Sequence, residues 1–244
     1  MVNSFHSIYE RGIMELSVII PALHEGKMLN FTVQSLIETL DHQNVKYEVV
    51  LVLSALDSKT TKVARELSNH HQCIKSVYRH PTDSFGDAIR TGIQHASGDV
   101  IVFYMADGSD KPADLVCFAK IIGFKCDMAF GTRFSWFKRP AGYPFGKWLL
   151  NRLGNLALEH LTVIECNDLT NSFKGYRREV LEAVQPLEAD GFDITLEIAL
   201  KAIKKGYRYK TIPVSWYPRK QGISKFNTLR ESWGFIKTSF RVWR

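Results

Sequence analysis

The feature that constrains this chain most is the alternation, through its first half, of short apolar runs with segments of helical spacing. Leu16–Ile20 reads as a strand that Pro21 ends, and Gly26–Leu40 follows with Leu29, Val33, Leu36 and Leu40 on one helical face. Tyr47–Leu53, Ile74–Tyr78 and Asp99–Tyr104 read as further strands, separated by helices near Ser58–Leu67 and Phe85–Ala96. Strand, helix, strand in this rhythm predicts a mainly parallel sheet flanked by helices, an α/β fold. The second half is less regular. It predicts helices at Pro112–Ile122, Lys147–Leu161, Gly191–Lys204 and Leu229–Trp243, with strands at Met128–Phe130 and Tyr207–Val214. Between them, Phe134–Gly146 is a loop rich in glycine, proline and aromatics, a common composition for a binding lid.

With 244 residues and 45% hydrophobic content the chain can bury one sizeable core, so a single domain over 1–244 is expected, with a body at 14–226 and a terminal helix at 227–244. No apolar run approaches the roughly 20 residues of a spanning helix, and Met1–Arg11 lacks the apolar stretch of a secretory leader. Four scattered cysteines without a CxxC pair suit a reducing, cytoplasmic setting. The net charge of +7 favours phosphate-rich or anionic partners. No nucleic-acid-binding module is recognisable, which leaves a phosphorylated small substrate or an anionic lipid surface.

In an open parallel sheet, ligands gather at the carboxyl ends of the strands. After the first strand come Pro21, Ala22, Leu23, His24 and Glu25, without the GxGxxG of a dinucleotide-binding dehydrogenase. After the fourth come Met105, Ala106, Asp107, Gly108, Ser109 and Asp110. A carboxylate there, with Ser109 beside it, can hold Mg2+ or Mn2+ against a diphosphate, because hard cations prefer oxygen donors shared with phosphate and water. An ordinary polar turn has the same composition.

The ordered segments LSVIIPALHE (Leu16–Glu25), GDAIR (Gly86–Arg90), ADGSDKP (Ala106–Pro112), GTRF (Gly131–Phe134), DLTNSFKGY (Asp168–Tyr176), GFDITLE (Gly191–Glu197) and WYPRKQGISKF (Trp216–Phe226) together resemble family 2 glycosyltransferases of GT-A fold. Within that family they are most similar to the dolichyl-phosphate mannosyltransferase-like group. The resemblance implies a GT-A-like, Rossmann-like sheet. The reaction it implies is inverting transfer of a hexose from a GDP- or UDP-sugar to a polyprenyl or dolichyl phosphate. Pro21, Ala22 and Glu25 would then line the nucleoside site, and Asp107 with Ser109 would hold the cation. Arg219, with Ser224 and Lys225, would clamp the diphosphate; Arg133, Lys147 and Asn151 would meet the acceptor phosphate.

The same resemblance makes Arg90 a substrate-binding candidate and places Asp168 and Glu197 about the sugar and acceptor pocket, the latter two having helix capping or structural ion pairing as their plain alternative. Two acidic residues usual at the end of the second strand are Leu53 and Ser54 here, and Asp57 is the candidate to take their place; the usual first Asp of the metal motif is Met105. A saccharide hydroxyl as acceptor, or a non-catalytic nucleotide-sugar binder, are the alternatives.

Three further readings concern the periphery. Trp136 and Phe137 in the lid suit lipid, sugar or packing within the loop. Lys174, Arg177 and Arg178 read as a solvated basic face. In the last helix, Trp233, Ile236, Phe240 and Trp243 share a face flanked by Arg230, Lys237, Arg241 and Arg244. That pattern predicts an in-plane helix on an anionic membrane, hence peripheral association.

Overall fold

Among the described residues, seven strands form one sheet: β1 (Leu16–Ala22), β2 (Tyr47–Ser54), β3 (Ile74–Arg79), β4 (Val100–Phe103), β5 (Met128–Thr132), β6 (Lys174–Arg177) and β7 (Tyr209–Pro213). Their spatial order is β3-β2-β1-β4-β6-β5-β7, with β6 antiparallel to both neighbours and every other pairing parallel. The computed structural model describes residues 14–43, 45–79, 84–134, 139–140, 142–162, 164–218 and 228–243.

Alternate residues of each central strand feed two separate apolar layers, as a sheet covered on both faces requires. Ile19, Val50, Val52, Ile101 and Phe103 enter one layer, closed by α3 (Phe85–His95), α6 (Arg178–Ala183), α7 (Ile194–Lys204) and the inner side of α8 (Thr228–Trp243). Val18, Ile20, Leu51, Leu53 and Val102 enter the other, closed by α1 (Lys27–His42), α2 (Ser58–His70) and α4 (Pro112–Ile121). The remaining helix, α5 (Phe145–Thr162), buries Asn155, Leu158 and Thr162 and leaves most of its leucines at the surface. No helix among the described residues is long and apolar enough to cross a membrane.

Several sequence expectations are corrected. Pro21 does not end β1: it pairs in register with Val52, and the strand continues to Ala22. A proline carries no N–H, yet its carbonyl and fixed φ still suit an extended strand near its end. The helix expected from Gly191 begins at Ile194, after a turn. The run Lys174–Arg178 is no solvated face. Its first four residues form β6 in the middle of the sheet, Lys174 is fully buried, and Arg178 donates to the Ala96 and Gly98 carbonyls. Three cations in five residues masked a strand whose other members, Gly175 and Tyr176, are apolar and buried.

The turn after β1 is built by α2. Asp57 caps that helix by accepting from Thr60 N and also accepts from His24 N at 2.6 Å, while Glu25 N and Gly26 N donate to Thr60 Oγ1. Burial would raise the Asp57 pKa, but these hydrogen bonds from Thr60 and His24 lower it. His24 sits at φ 59 and Gly26 at φ 47, so the chain reverses twice through left-handed backbone before α1 starts.

The head of α3 is locked to the 189–190 segment by Gly86 N donating to Asp190 O at 2.7 Å. A Cβ on Gly86 would overlap the Ala189 carbonyl oxygen and the Asp190 backbone, neither of which can swing aside. Gly86→Ala should therefore destabilise the fold by about 1–3 kcal/mol, as overpacking against rigid atoms does. Chemical denaturation measures this; an unchanged midpoint would mean that the α3 head is not held as described.

Candidate active site

A cleft of about 510 Å3 opens over the carboxyl ends of β1 and β4, where a mostly parallel sheet places its ligands. Pro21, Ala22, Leu23 and Glu25 form its wall after β1, and Met105, Asp107, Ser109 and Asp110 its wall after β4. Arg133, Tyr143, Lys147, Asn151 and Thr170–Ser172 line one end, while Arg79, Ser84, Phe85, Ala88 and Asp190–Phe192 line another.

The turn after β4 gathers carboxylates. Asp107 Oδ1 accepts from Ser109 N at 3.0 Å, and Thr32 Oγ1 ties the Ala106 carbonyl to α1. Asp110 is buried and accepts from Met105 N at 3.3 Å; burial first, then the nearby Asp107 charge, pushes its pKa up to about 7. The far side of this turn is pinned by the bridge between Asp110 and Trp216 and by Tyr217 N donating to Ser109 O. Among the described residues no group of three metal-ligating side chains comes together. A hard cation with one or two protein carboxylates completes its shell from phosphate and water, so Asp107 with Ser109 fits Mg2+ or Mn2+ bound together with a diphosphate.

Also on the cleft wall, Arg133 is committed. Its Nε and Nη2 donate to Asp168 Oδ2 and Oδ1 at 2.8 and 2.7 Å, and its backbone N donates to Oδ2 at 2.9 Å. Burial would lower the guanidinium pKa, but the Asp168 carboxylate raises it. A two-pronged grip of Arg133 on a phosphate would thus require breaking this pair. Asp168 itself is fully buried and lies behind the cleft wall. Beneath it, the Lys174 ammonium donates to the Leu169 and Asn171 carbonyls at 2.8 and 2.5 Å, and burial lowers its pKa to about 8. These contacts hold the 167–172 loop that presents Thr170, Asn171 and Ser172 to the cleft.

Of the residues singled out in the sequence, Pro21, Ala22, Glu25, Asp107, Ser109, Arg133, Lys147 and Asn151 line the cleft together. Ser54, Asp57, Arg90, Asp168 and Glu197 do not line it. Asp57 builds the β1–α1 turn. Arg90 clamps the 189–190 segment through the Ala189 carbonyl and Asp190. Glu197 is fully buried, accepts from Glu188 N and Ala189 N, and pairs with Lys201 and Arg241. Arg219, Ser224 and Lys225 lie outside the described residues, as do Trp136, Phe137 and Arg244. Sequence reasoning missed Arg79, Phe85, Tyr143 and Glu231 at the cleft. The rule that strand ends face ligands, applied to β3 as to β1 and β4, points to the first two; Glu231 arrives from α8, where nothing in the sequence signals it.

A family model, glycosyl transferase family 2, matches residues 17–185. The chain belongs to this family. It is 30% identical over 218 residues to a dolichol-phosphate mannosyltransferase of Pyrococcus furiosus, covering 87% of this chain and 59% of that one. It is also 26% identical over 130 residues to a polyprenol monophosphomannose synthase of Mycolicibacterium smegmatis, covering 52% of this chain and 49% of that one. The chain thus spans less than two thirds of the length of these curated relatives. Its fold matches the glucosyl-3-phosphoglycerate synthase of Mycobacterium tuberculosis, with a TM-score of 0.71 at 16% identity, over 99% of this chain and 83% of that one. For this family 2 chain the fold is therefore the GT-A-like one that its sequence motifs implied.

The Arg133–Asp168 pair yields a stability prediction. Asp168→Ala leaves a nearly buried guanidinium without its carboxylate and should cost about 3–5 kcal/mol, whereas Arg133→Met with Asp168→Leu should cost clearly less. Urea denaturation of both variants tests it; a stable Asp168→Ala protein would free Asp168 for a direct chemical role.

Proposed function

We propose that this chain is a metal-dependent inverting glycosyltransferase that moves a hexose from a nucleotide-sugar to a polyprenyl phosphate at a membrane surface. Residues 14–226 are its catalytic body, and 227–244 its membrane-facing helix. One observation carries the acceptor reading. Lys147, Asn151 and Thr170 line both the cleft and an apolar groove of about 140 Å3 between α5 and α8, bounded by Leu150, Leu161, Phe235 and Ile236. A phosphate in the cleft can therefore have its hydrocarbon tail in a neighbouring groove. The names of the Pyrococcus and Mycolicibacterium relatives support the same acceptor class.

The chemistry needs little from side chains beyond placement. A phosphate monoester is already anionic, so no strong base is required to activate it. The residues after β1 and β4 hold the donor, and Lys147 draws the acceptor phosphate towards it. The Arg133–Asp168 pair is neutral as a unit, and Lys174 leaves one net positive charge beneath that end of the cleft. Asp107 with Ser109 would hold Mg2+ or Mn2+. When bound, such a cation supplies charge neutralisation for the departing nucleoside diphosphate. The Mycobacterium tuberculosis synthase has been crystallised with Mn2+ and UDP and with Mg2+ and UDP, which supports a divalent metal here.

Membrane contact rests on a broader surface than the sequence suggested. Trp233 (67% exposed), Ile236 and Phe240 project from α8 as expected, and Phe145, Leu149, Leu150, Leu153 (56%), Leu156 and Leu161 project from α5 beside it. Exposed apolar side chains in this number on two neighbouring helices mark an interaction surface. Trp243 instead packs partly against the core, and Arg241 turns to Glu188 and Glu197 rather than joining a free basic stripe. The four cysteines, all free thiols, suit a reducing, cytoplasmic setting.

Two experiments test this reading. Transfer of labelled sugar to a polyprenyl phosphate should stop in excess EDTA and fall at least about 100-fold in Asp107→Asn, in line with losing a main charge stabiliser. Full transfer in EDTA, or transfer only to a free saccharide, would overturn it. The full chain should sediment with anionic liposomes, and Leu153→Glu with Trp233→Glu should abolish this at unchanged melting temperature, since both side chains are exposed. Equal sedimentation of the double variant would remove the membrane from the proposal.

A further inference from the structure

Lys174 opens β6, between β4 and β5, and its fully buried side chain does not line the cleft. Its ammonium nevertheless holds the loop that does. It donates to Leu169 O at 2.8 Å and to Asn171 O at 2.5 Å, two carbonyls of the segment that presents Thr170, Asn171 and Ser172 to the cleft. A trans peptide group points its N–H away from its C=O, and the peptide bonds of this loop are trans. With the Leu169 and Asn171 oxygens turned inward to Lys174, the N–H groups of Thr170 and Ser172 are turned outward.

Those two N–H groups serve different ends. Thr170 N donates to Asn155 Oδ1 of α5 at 3.1 Å, and Asn155 Nδ2 donates in turn to Thr170 Oγ1 at 3.0 Å and to Asn151 Oδ1 at 2.7 Å. Asn151 lines the cleft together with Lys147, so a chain of hydrogen bonds runs from Lys174 to the part of α5 that faces the acceptor. Ser172 N finds no acceptor among the described residues, and Ser172 lines the cleft. Charge adds to this arrangement. The groups facing the ammonium are Arg133 from the end of β5, Cys166 and Asp168 from the segment before β6, and the Phe130 ring, whose centroid lies 5.8 Å away. Arg133 and Asp168 cancel as a pair, and burial pushes the pKa values of the Cys166 thiol and of Tyr176, two residues along β6, upward, so both are neutral. One positive charge is left uncompensated behind the loop, where a backbone N–H points into the cleft, and the two together favour an anion there.

We propose that Lys174 is a positioning residue for the acceptor phosphate: from behind the wall it sets the two peptide groups that hold α5 and present the Ser172 N–H, and it supplies the charge that draws the anion to them. This rests on the glycosyltransferase reading above and adds a residue that acts on the acceptor without touching it. Burial lowers the Lys174 pKa to about 8, so the charge fades as pH rises through that value. The neutral amine keeps two N–H groups, enough for both carbonyls, so the peptide orientation outlasts the charge. A phosphate monoester loses its second proton near pH about 6, so the charge of the acceptor itself is constant across that window.

The test is the KM for polyprenyl phosphate from about pH 7 to about pH 9, with calorimetric binding of GDP and UDP in Mn2+ alongside, on the full chain, Lys174→Met and Lys174→Arg. The wild-type KM should rise about 3- to 10-fold across this range as the buried charge is lost. Lys174→Met, which loses both the donors and the charge, should raise KM at least about 10-fold at every pH and leave nucleotide binding unchanged. Lys174→Arg should recover most of that loss and show no rise with pH, because a guanidinium keeps its proton. Should neither variant fold, the wild type still decides: the Cε signal of a buried lysine, followed by NMR, should titrate together with the KM, and a mismatch overturns the inference. A wild-type KM that is flat over the range, a pH rise shared by Lys174→Arg, or a Lys174→Met protein that weakens nucleotide and acceptor equally also overturns it, and leaves the glycosyltransferase reading standing. Absence of transfer to polyprenyl phosphate by the wild type at every pH overturns that reading itself.

Discussion

The structure depends on a central sheet that is buried on both faces. β1, β2 and β4 send alternate side chains into two apolar layers, so neither face can carry polar chemistry without leaving buried groups unsatisfied. Polar residues are thereby confined to the strand ends and to the loops that follow them. That confinement brings Pro21–Glu25, Met105–Asp110 and Arg79 into one cleft although they come from three separate strands.

A second constraint is electrostatic. Arg133, Asp168 and Lys174 place three ionisable groups at or just behind the cleft wall, and the Asp168 and Lys174 side chains are fully buried. Each is compensated: Arg133 by a bidentate carboxylate, Asp168 by three donors, Lys174 by two carbonyls. Buried ions held this way specify a geometry, because any rearrangement strands a charge. The loop carrying Thr170–Ser172 is thus tied from beneath, while the 189–192 segment opposite is tied by Arg90, Glu197 and Glu231. The described walls are thus tied by hydrogen bonds on both sides, which suits a reaction governed by alignment.

The outer face of α5 and α8 follows different rules. Apolar side chains there contribute nothing to the core, yet they adjoin the end of the cleft lined by Lys147 and Asn151. A catalytic cleft beside an apolar shoulder fits an acceptor with a charged head and a hydrocarbon tail, and it joins the membrane and acceptor proposals in one surface.

Local pattern alone determined a good deal about this protein. Strand and helix periodicity located thirteen of the fifteen elements among the described residues to within a few residues, and strand-end logic singled out Asp107, Pro21 and Glu25 at the cleft. Those features are legible because apolar period and strand ends are properties of neighbouring residues. What tertiary structure decided are matters of partnership across distance. Lys174 reads as a surface cation until β4 and β5 close around it. Asp57 and Glu197 read as ligand contacts until His24 lies 33 positions before one, and the 188–189 backbone folds over the other. Which leucines of α5 are buried is not legible in the helix pattern; the fold buries Leu158 and leaves the others at the surface. A charge buried with its partner and a charge left in water look identical in a sequence, because the difference lies in which remote groups the fold brings within hydrogen-bonding reach.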